Sequence, residues 1–217
     1  MAERSRAISL DEPLTIPDGT EQTPRVLHWY DFLCPFCYVG QQRNTIFENH
    51  GFEVVDIPFE AHPDIPRGGR VVGERTGPIY PHIEAEAKAA GLPLVWPDRL
   101  PNTRMALAAA EWTRRHAPQS FRTFEAALFA AHFAHREDIG DREVIDRHAA
   151  EAGIDIAEMH AALEDGSANL LVDQSEMLGR RLGVRGTPAW FTSGHLIPGL
   201  YPREQFEQFV QALTAQR

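Results

Sequence analysis

A pair of cysteines, placed where a strand gives way to a helix, limits the folds open to this chain more than any other feature. Residues 25–31 are branched and aromatic and predict a strand. Cys34 and Cys37 follow directly. Pro35 suits the first turn of a helix, because its missing N–H would have no partner there. These are the only two cysteines among 217 residues, so every thiol of the chain lies at the amino end of one predicted helix.

The segments on either side of a long middle region predict a single α/β core. Helices are predicted over 36–48, 168–182 and 202–214, and strands over 25–31, 52–59, 189–192 and 195–197. The first strand, helix and strand form a βαβ unit, whose strands are parallel. The last two strands are joined by a two-residue turn, so they are antiparallel. The resulting order, β-α-β, helix, β-β, helix, is that of the thioredoxin fold.

The middle region and the amino-terminal arm complete the predicted organisation. Residues 61–167 carry five segments of helical periodicity after a Pro/Gly-rich start. They predict an all-helical insertion in a core formed by residues 25–60 and 168–217. Residues 1–24 are polar, contain several prolines and lack the apolar run of a secretory signal, which predicts a flexible arm.

Composition narrows the class of protein. Asp and Glu outnumber Lys and Arg by 31 to 21, which gives a formal charge of −10, and an acidic chain repels nucleic-acid phosphates. No apolar run approaches the roughly 20 residues of a membrane span. We therefore expect a cytoplasmic protein whose partners are neither nucleic acid nor membrane. Cytoplasmic thiols stay reduced, so an isolated C-x-x-C pair there is more typical of redox chemistry than of a structural disulfide.

A metal site is not the favoured explanation of these residues. Two cysteines fall short of the four ligands of structural zinc, and no histidine pair stands near them in sequence. His132 and His135, three residues apart, are better explained as parts of a packed helix. We predict neither a metal nor a bound cofactor, because the cysteine pair itself would hold the electrons, and we keep glutathione as a candidate co-substrate.

The expected chemistry follows from where Cys34 lies. The first N–H groups of a helix are unpaired and, with the helix dipole, favour an anion, so Cys34 is the candidate nucleophile. Cys37 lies nearly one turn further along the same face and is placed to attack a mixed disulfide formed at Cys34. We expect the insertion to form one face of a groove beside Cys34, with apolar contacts around Phe36 and Pro188.

Two further positions are candidates for roles beside the cysteines. Thr187-Pro188 precedes a strand, and X-Pro bonds tolerate the cis form. In thioredoxin-like proteins such a loop faces the cysteine pair and accepts an extended peptide. His28 lies six residues before Cys34, where thioredoxin-like proteins often carry a buried acid. Its imidazole is either a proton relay that accepts the Cys37 proton or a packing residue of the strand.

These motifs resemble the DsbA family of thioredoxin-fold oxidoreductases, and specifically its FrnE-like branch. The resemblance is carried by residues 31–40, 58–64, 102–104, 138–141 and 183–188. It implies thiol–disulfide oxidoreductase or disulfide isomerase activity on protein or low-molecular-weight thiols. Cys34 would be the nucleophile and Cys37 the resolving thiol. Thr187 and Pro188, with Phe36 and Pro35, would bind substrate, although Phe36 replaces the usual Trp and Thr187 the common Val.

Two other functions stay open at this point. Glutathione-dependent isomerases and kappa-type glutathione transferases share the architecture, but they typically use a serine, whereas this chain keeps both Cys34 and Cys37. A non-catalytic module that binds clients in the insertion groove is the other alternative, in which the thiols would be retained without use.

Overall fold

The computed structural model describes residues 14–18 and 23–215, and these residues contain six strands and eight helices. The strands are β1 (Arg25–Tyr30), β2 (Glu53–Pro58), β3 (Arg70–Val71), β4 (Arg99–Leu100), β5 (Ala189–Thr192) and β6 (His195–Pro198). The helices are α1 (Pro35–Asn49), α2 (Ile79–Ala90), α3 (Arg104–His116), α4 (Pro118–Phe133), α5 (Arg142–Glu151), α6 (Ile156–Glu164), α7 (Ser167–Arg181) and α8 (Arg203–Ala215).

The main sheet has the strand order β2-β1-β5-β6. β1 is parallel to β2 and antiparallel to β5, and β5 is antiparallel to β6. Ser193 and Gly194 form the turn between the last two strands, both with positive φ, as a two-residue hairpin of this twist requires. The thioredoxin-like order predicted from the sequence is therefore confirmed.

Strand alternation gives each face of the sheet its own helices. Val26 and Trp190 face α1 and α8, where they pack with Phe47 and Phe206. Leu27 and Trp29 point the other way and pack with Leu178 of α7. The apolar side of α1 thus packs against the sheet. This packing sets the direction in which the amino end of α1 points.

The region between β2 and α7 packs beside the start of α1. One apolar cluster joins Cys34 and Cys37 to Phe124 and Phe129 of α4 and to Ile83 of α2. Its regular elements are helices except for β3 and β4, which pair over two residues each, a difference from the all-helical prediction. Two-residue strands are too short to show an alternating pattern in sequence, so the sequence could not predict this pair of strands.

The amino-terminal arm lies mostly outside the described residues. Of residues 14–18, Leu14 packs against the cluster around Trp29, and Pro17 is buried. The flexibility expected of residues 1–24 stays a prediction.

Candidate active site

The first turn of α1 fixes the position of Cys34. Cys34 is the N-cap residue and Pro35 opens the helix, as the sequence predicted. The Cys34 N–H donates to the Asp31 carbonyl at 3.1 Å, and the Cys34 carbonyl accepts from the Cys37 N–H at 3.0 Å. Cys34 keeps 9% of its surface exposed, whereas Cys37 has none. Cys34 is therefore the less buried of the two cysteines.

The two thiols, both free, have opposite pKa shifts. A hydrogen bond from the Cys37 thiol lowers the pKa of Cys34; burial opposes this effect, and Thr187 adds to it. Burial raises the pKa of Cys37 well above the usual range, and the bond to Cys34 raises it further. Cys34 therefore ionises first, and Cys37 keeps its proton while Cys34 is a thiolate.

The cis-proline loop completes the surroundings of Cys34. The Thr187–Pro188 peptide is cis, as the sequence predicted, and the Cys34 thiol donates a hydrogen bond to the Thr187 carbonyl at 3.3 Å. A Cβ added to Gly40 would lie 3.3 Å from Leu200 and 3.8 Å from the Pro188 ring, so α1 packs directly on this loop. The fold thus joins residues that are more than 150 positions apart in the chain.

The insertion packs beside Cys34 and forms a wall there. The Phe36 ring is half-buried, with its centroid 6.4 Å from that of His82 in α2. A cavity of about 230 Å³ opens beside Leu33 and Pro35. The groove predicted around Phe36 and Pro188 stays a prediction.

His28 is buried beneath α1, in a polar cluster of its own. Its Nδ1 lies 2.5 Å from the Asp56 carboxylate, and its ring stacks on Trp190 at 4.7 Å. Asn44 bridges the group: it donates to Asp56 at 2.7 Å and accepts from the Trp190 indole at 2.8 Å. Burial is the largest single effect on the pKa of Asp56 and raises it, but the hydrogen bond and charge of His28, the charge of Arg122 and the hydrogen bond from Asn44 together lower this pKa.

The hydrogen bonds within residues 23–215 do not join His28 to either cysteine. Its partner Asn44 lies seven residues beyond Cys37 on α1, which is about 10 Å along a helix axis. The structure thus brings together Cys34, Cys37, Thr187 and Pro188, with Pro35 and Phe36 beside them, and sets His28 apart. A role of His28 in proton transfer stays a prediction.

The buried carboxylate of Asp31 acts on the reactive sulfur, a role that sequence analysis missed. Asp31 accepts hydrogen bonds from the backbone N–H groups of Leu33 at 3.3 Å and Ala61 at 2.8 Å. Burial raises its pKa, and its negative charge raises that of Cys34. The signal for this role was an acid three residues before the nucleophile, but its side-chain direction was not readable from sequence.

The pKa shifts predict how alkylation of the protein depends on pH. Iodoacetamide reacts with thiolate, so the rate at Cys34 should reach half its maximum below pH 8.5, the ordinary cysteine value. The Cys37→Ala variant keeps one thiol and loses the hydrogen bond that lowers its pKa, so its midpoint should move to higher pH. Alkylation rates from pH 5 to 10 test this, and a wild-type midpoint at or above 8.5 would contradict it.

Two thiols at the amino end of a helix, facing a cis-proline loop beside a four-stranded mixed sheet, define a thioredoxin-like dithiol protein. Residues 25–211 match the DSBA-like thioredoxin domain, and the chain belongs to that family. The comparisons do not single out the FrnE-like branch, which stays a prediction. Within the described residues no helix has the length and apolar character needed to cross a membrane.

Solved structures share this fold over most of their length. The probable DsbA oxidoreductase SCO1869 from Streptomyces coelicolor is 24% identical with a TM-score of 0.76, and 89% of this chain covers 91% of that one. 2-Hydroxychromene-2-carboxylate isomerase is 19% identical with a TM-score of 0.69, and the match covers 88% of this chain and 97% of that one. The cytosolic disulfide reductase DsbM from Pseudomonas aeruginosa, solved with GSH, is 19% identical with a TM-score of 0.60, and the match covers 87% of this chain and 98% of that one. At these identities the likeness concerns the fold alone.

Proposed function

We propose that this protein is a thiol–disulfide oxidoreductase or disulfide isomerase that works by exchange at the Cys34–Cys37 pair. The observation that carries the proposal is the asymmetry of the two thiols: the less buried Cys34 has a lowered pKa, and the fully buried Cys37 has a raised one. Such an arrangement gives one nucleophile and one reserve thiol, which is what two-step exchange requires.

The reaction begins with attack of the Cys34 thiolate on a substrate disulfide. A bond forms between Cys34 and one substrate sulfur, and the other substrate sulfur leaves as a thiolate. Cys34 then carries no charge, so one cause of the raised Cys37 pKa disappears. Cys37 loses its proton and attacks the Cys34 sulfur, which closes the protein disulfide and releases the second substrate thiol. Two electrons pass to the substrate, and the reverse sequence oxidises a dithiol.

The substrates we propose are protein or low-molecular-weight thiols and disulfides in the cytoplasm. The Thr187–Pro188 backbone would hold the substrate beside Cys34, with Pro35 and Phe36 against its flanks. No bound cofactor is required, because the cysteine pair holds the electrons. Glutathione is a candidate co-substrate, and the likeness to a disulfide reductase solved with GSH supports that choice.

The proposal is tested by trapping substrates with the Cys37→Ser variant. This variant should complete the first attack but not the second, so mixed disulfides between Cys34 and substrates should accumulate. A reductant should cleave them and release the substrates. The Cys34→Ser variant is the matched control and should trap nothing. Equal recovery from both variants would contradict the proposal. Conjugation of glutathione to a model electrophile by Cys37→Ser would favour the transferase or isomerase alternative instead.

A further inference from the structure

The cavity beside the reactive cysteine has walls that suit a flat apolar molecule. It has a volume of about 230 Å³, and its lining includes Leu33, Pro35, Tyr80, Ile83, Trp96 and Phe133. Tyr80 and Trp96 meet edge to face with centroids 5.1 Å apart, so aromatic rings form part of the wall. Leu33 and Pro35 are the chain neighbours of Cys34 on both sides, so the cavity lies beside the segment that carries the nucleophile, although Cys34 itself is not among the lining residues.

One polar group in the wall makes no hydrogen bond of normal geometry. His132 of α4 lines the cavity and is only 1% exposed. Neither of its ring nitrogens makes such a bond with the residues that the structure describes, although the Glu137 backbone lies close enough to favour the protonated ring. Buried polar groups almost always have partners, because leaving one unpaired costs free energy. A ligand that reaches His132 would supply the missing hydrogen bond.

The charge state of His132 restricts which polar group can pair with it. Burial lowers the pKa of His132 to about 4, and the Glu137 backbone opposes this shift only in part. The imidazole is therefore neutral at pH 7, with one donor and one acceptor nitrogen. A carboxylate would need a charged imidazolium, which burial disfavours. A neutral hydroxyl satisfies the acceptor nitrogen without any buried charge.

We propose that this cavity binds the aromatic part of a small disulfide and that a hydroxyl group on its ring donates a hydrogen bond to His132. The inference rests on the proposed function and adds a substrate class to it. The Cys34 thiolate attacks one sulfur of the diaryl disulfide, and the other sulfur leaves as an aryl thiolate. Cys37 then closes the protein disulfide and releases the second aryl thiolate, which takes up the proton that Cys37 lost. The cysteine pair is oxidised by two electrons, and one aryl thiolate and one aryl thiol are formed.

The test measures single-turnover oxidation of the reduced, full-length protein by three probes. Bis(4-hydroxyphenyl) disulfide has an aromatic ring that carries a hydroxyl group, and diphenyl disulfide has the ring alone. Bis(2-hydroxyethyl) disulfide has no aromatic ring. Ratios of wild-type to variant rates are compared for each probe, which cancels the intrinsic reactivities. The His132→Leu variant should slow the hydroxyphenyl probe about 10-fold, as loss of one hydrogen bond predicts. It should leave the other two probes within about twofold.

Two further variants keep the test sharp. His116→Leu is the matched control, because His116 stacks on Trp112 outside the cavity, and it should change none of the three rates. Val72→Trp narrows the cavity by a substitution outside α4. It should lower the rate of oxidation by both aryl probes and leave the rate with the hydroxyethyl probe unchanged. It serves as the independent test if His132→Leu, checked by circular dichroism, does not fold.

The outcomes separate the cavity from the chemistry. Equal wild-type to His132→Leu ratios for the two aryl probes would overturn the role of His132, and unchanged aryl rates in Val72→Trp would overturn the cavity as a binding site. In both cases reaction with the hydroxyethyl probe would persist, so the proposed function would stand. Failure of the wild-type protein to react with any of the three disulfides would instead overturn the proposed function.

Discussion

Replacement of Cys34 by Ser should lower the rate of disulfide exchange by at least about 1,000-fold, a loss typical of removing a nucleophile. A serine hydroxyl stays protonated at neutral pH and does not attack disulfides. The remaining thiol, Cys37, is fully buried and its pKa is raised well above the usual range, so it is a poor substitute. Turnover of a small disulfide in the presence of a thiol reductant measures the effect.

The matched variant Cys37→Ser distinguishes loss of the nucleophile from loss of the pair. It should also lose turnover, but its first attack on a disulfide should stay measurable, because the accessible thiol is intact. If Cys34→Ser instead kept normal turnover, the chemistry would lie elsewhere. If it lost turnover yet kept full function in cells, the module that merely binds clients would be the better description.

The core of this protein was predictable because local signals determine it. The strand before Cys34, the helix begun by Pro35 and the two-residue turn at Ser193–Gly194 each depend on neighbours in sequence. Their order along the chain then indicated the thioredoxin-like topology, with boundaries within about one residue for β1 and α1. The same reasoning placed Cys34 and Pro188 together, since the element order brings the loop before β5 to the start of α1.

The features that sequence could not supply depend on tertiary packing. His28 was recognisable by its spacing from Cys34, but its pairing with Asp56 follows from the register between β1 and β2, which no local pattern fixes. The close approach of α1 to Pro188, where a Cβ on Gly40 would lie 3.8 Å from the proline ring, likewise follows from packing. The role proposed for His132 depends on its burial without a hydrogen bond of normal geometry, and a histidine on a helix does not reveal that.

The sequence also does not reveal a buried ion cluster in α3, because it shows only several charged residues along a helix. Glu111 is fully buried and accepts hydrogen bonds from Arg114 at 2.7 Å and from Arg115 at 2.8 Å. Both arginine side chains are at least nine-tenths buried. Removing one member of such a cluster leaves charge in the protein interior with no counter-ion, which is far costlier than losing an exposed pair.

The Glu111→Ala variant should therefore lose about 3–5 kcal/mol of the free energy of unfolding. Glu207→Ala is the matched control: Glu207 pairs with Arg203 one turn away in α8, but 37% of its side chain is exposed, and pairs of that kind contribute about 0.5 kcal/mol or less. Both substitutions place Ala in a helix, so the gain in helix propensity cancels in the comparison. Urea denaturation with a shared m-value gives the two losses. Similar losses in the two variants would show that water reaches the Glu111 cluster and that its charges do not depend on one another for stability.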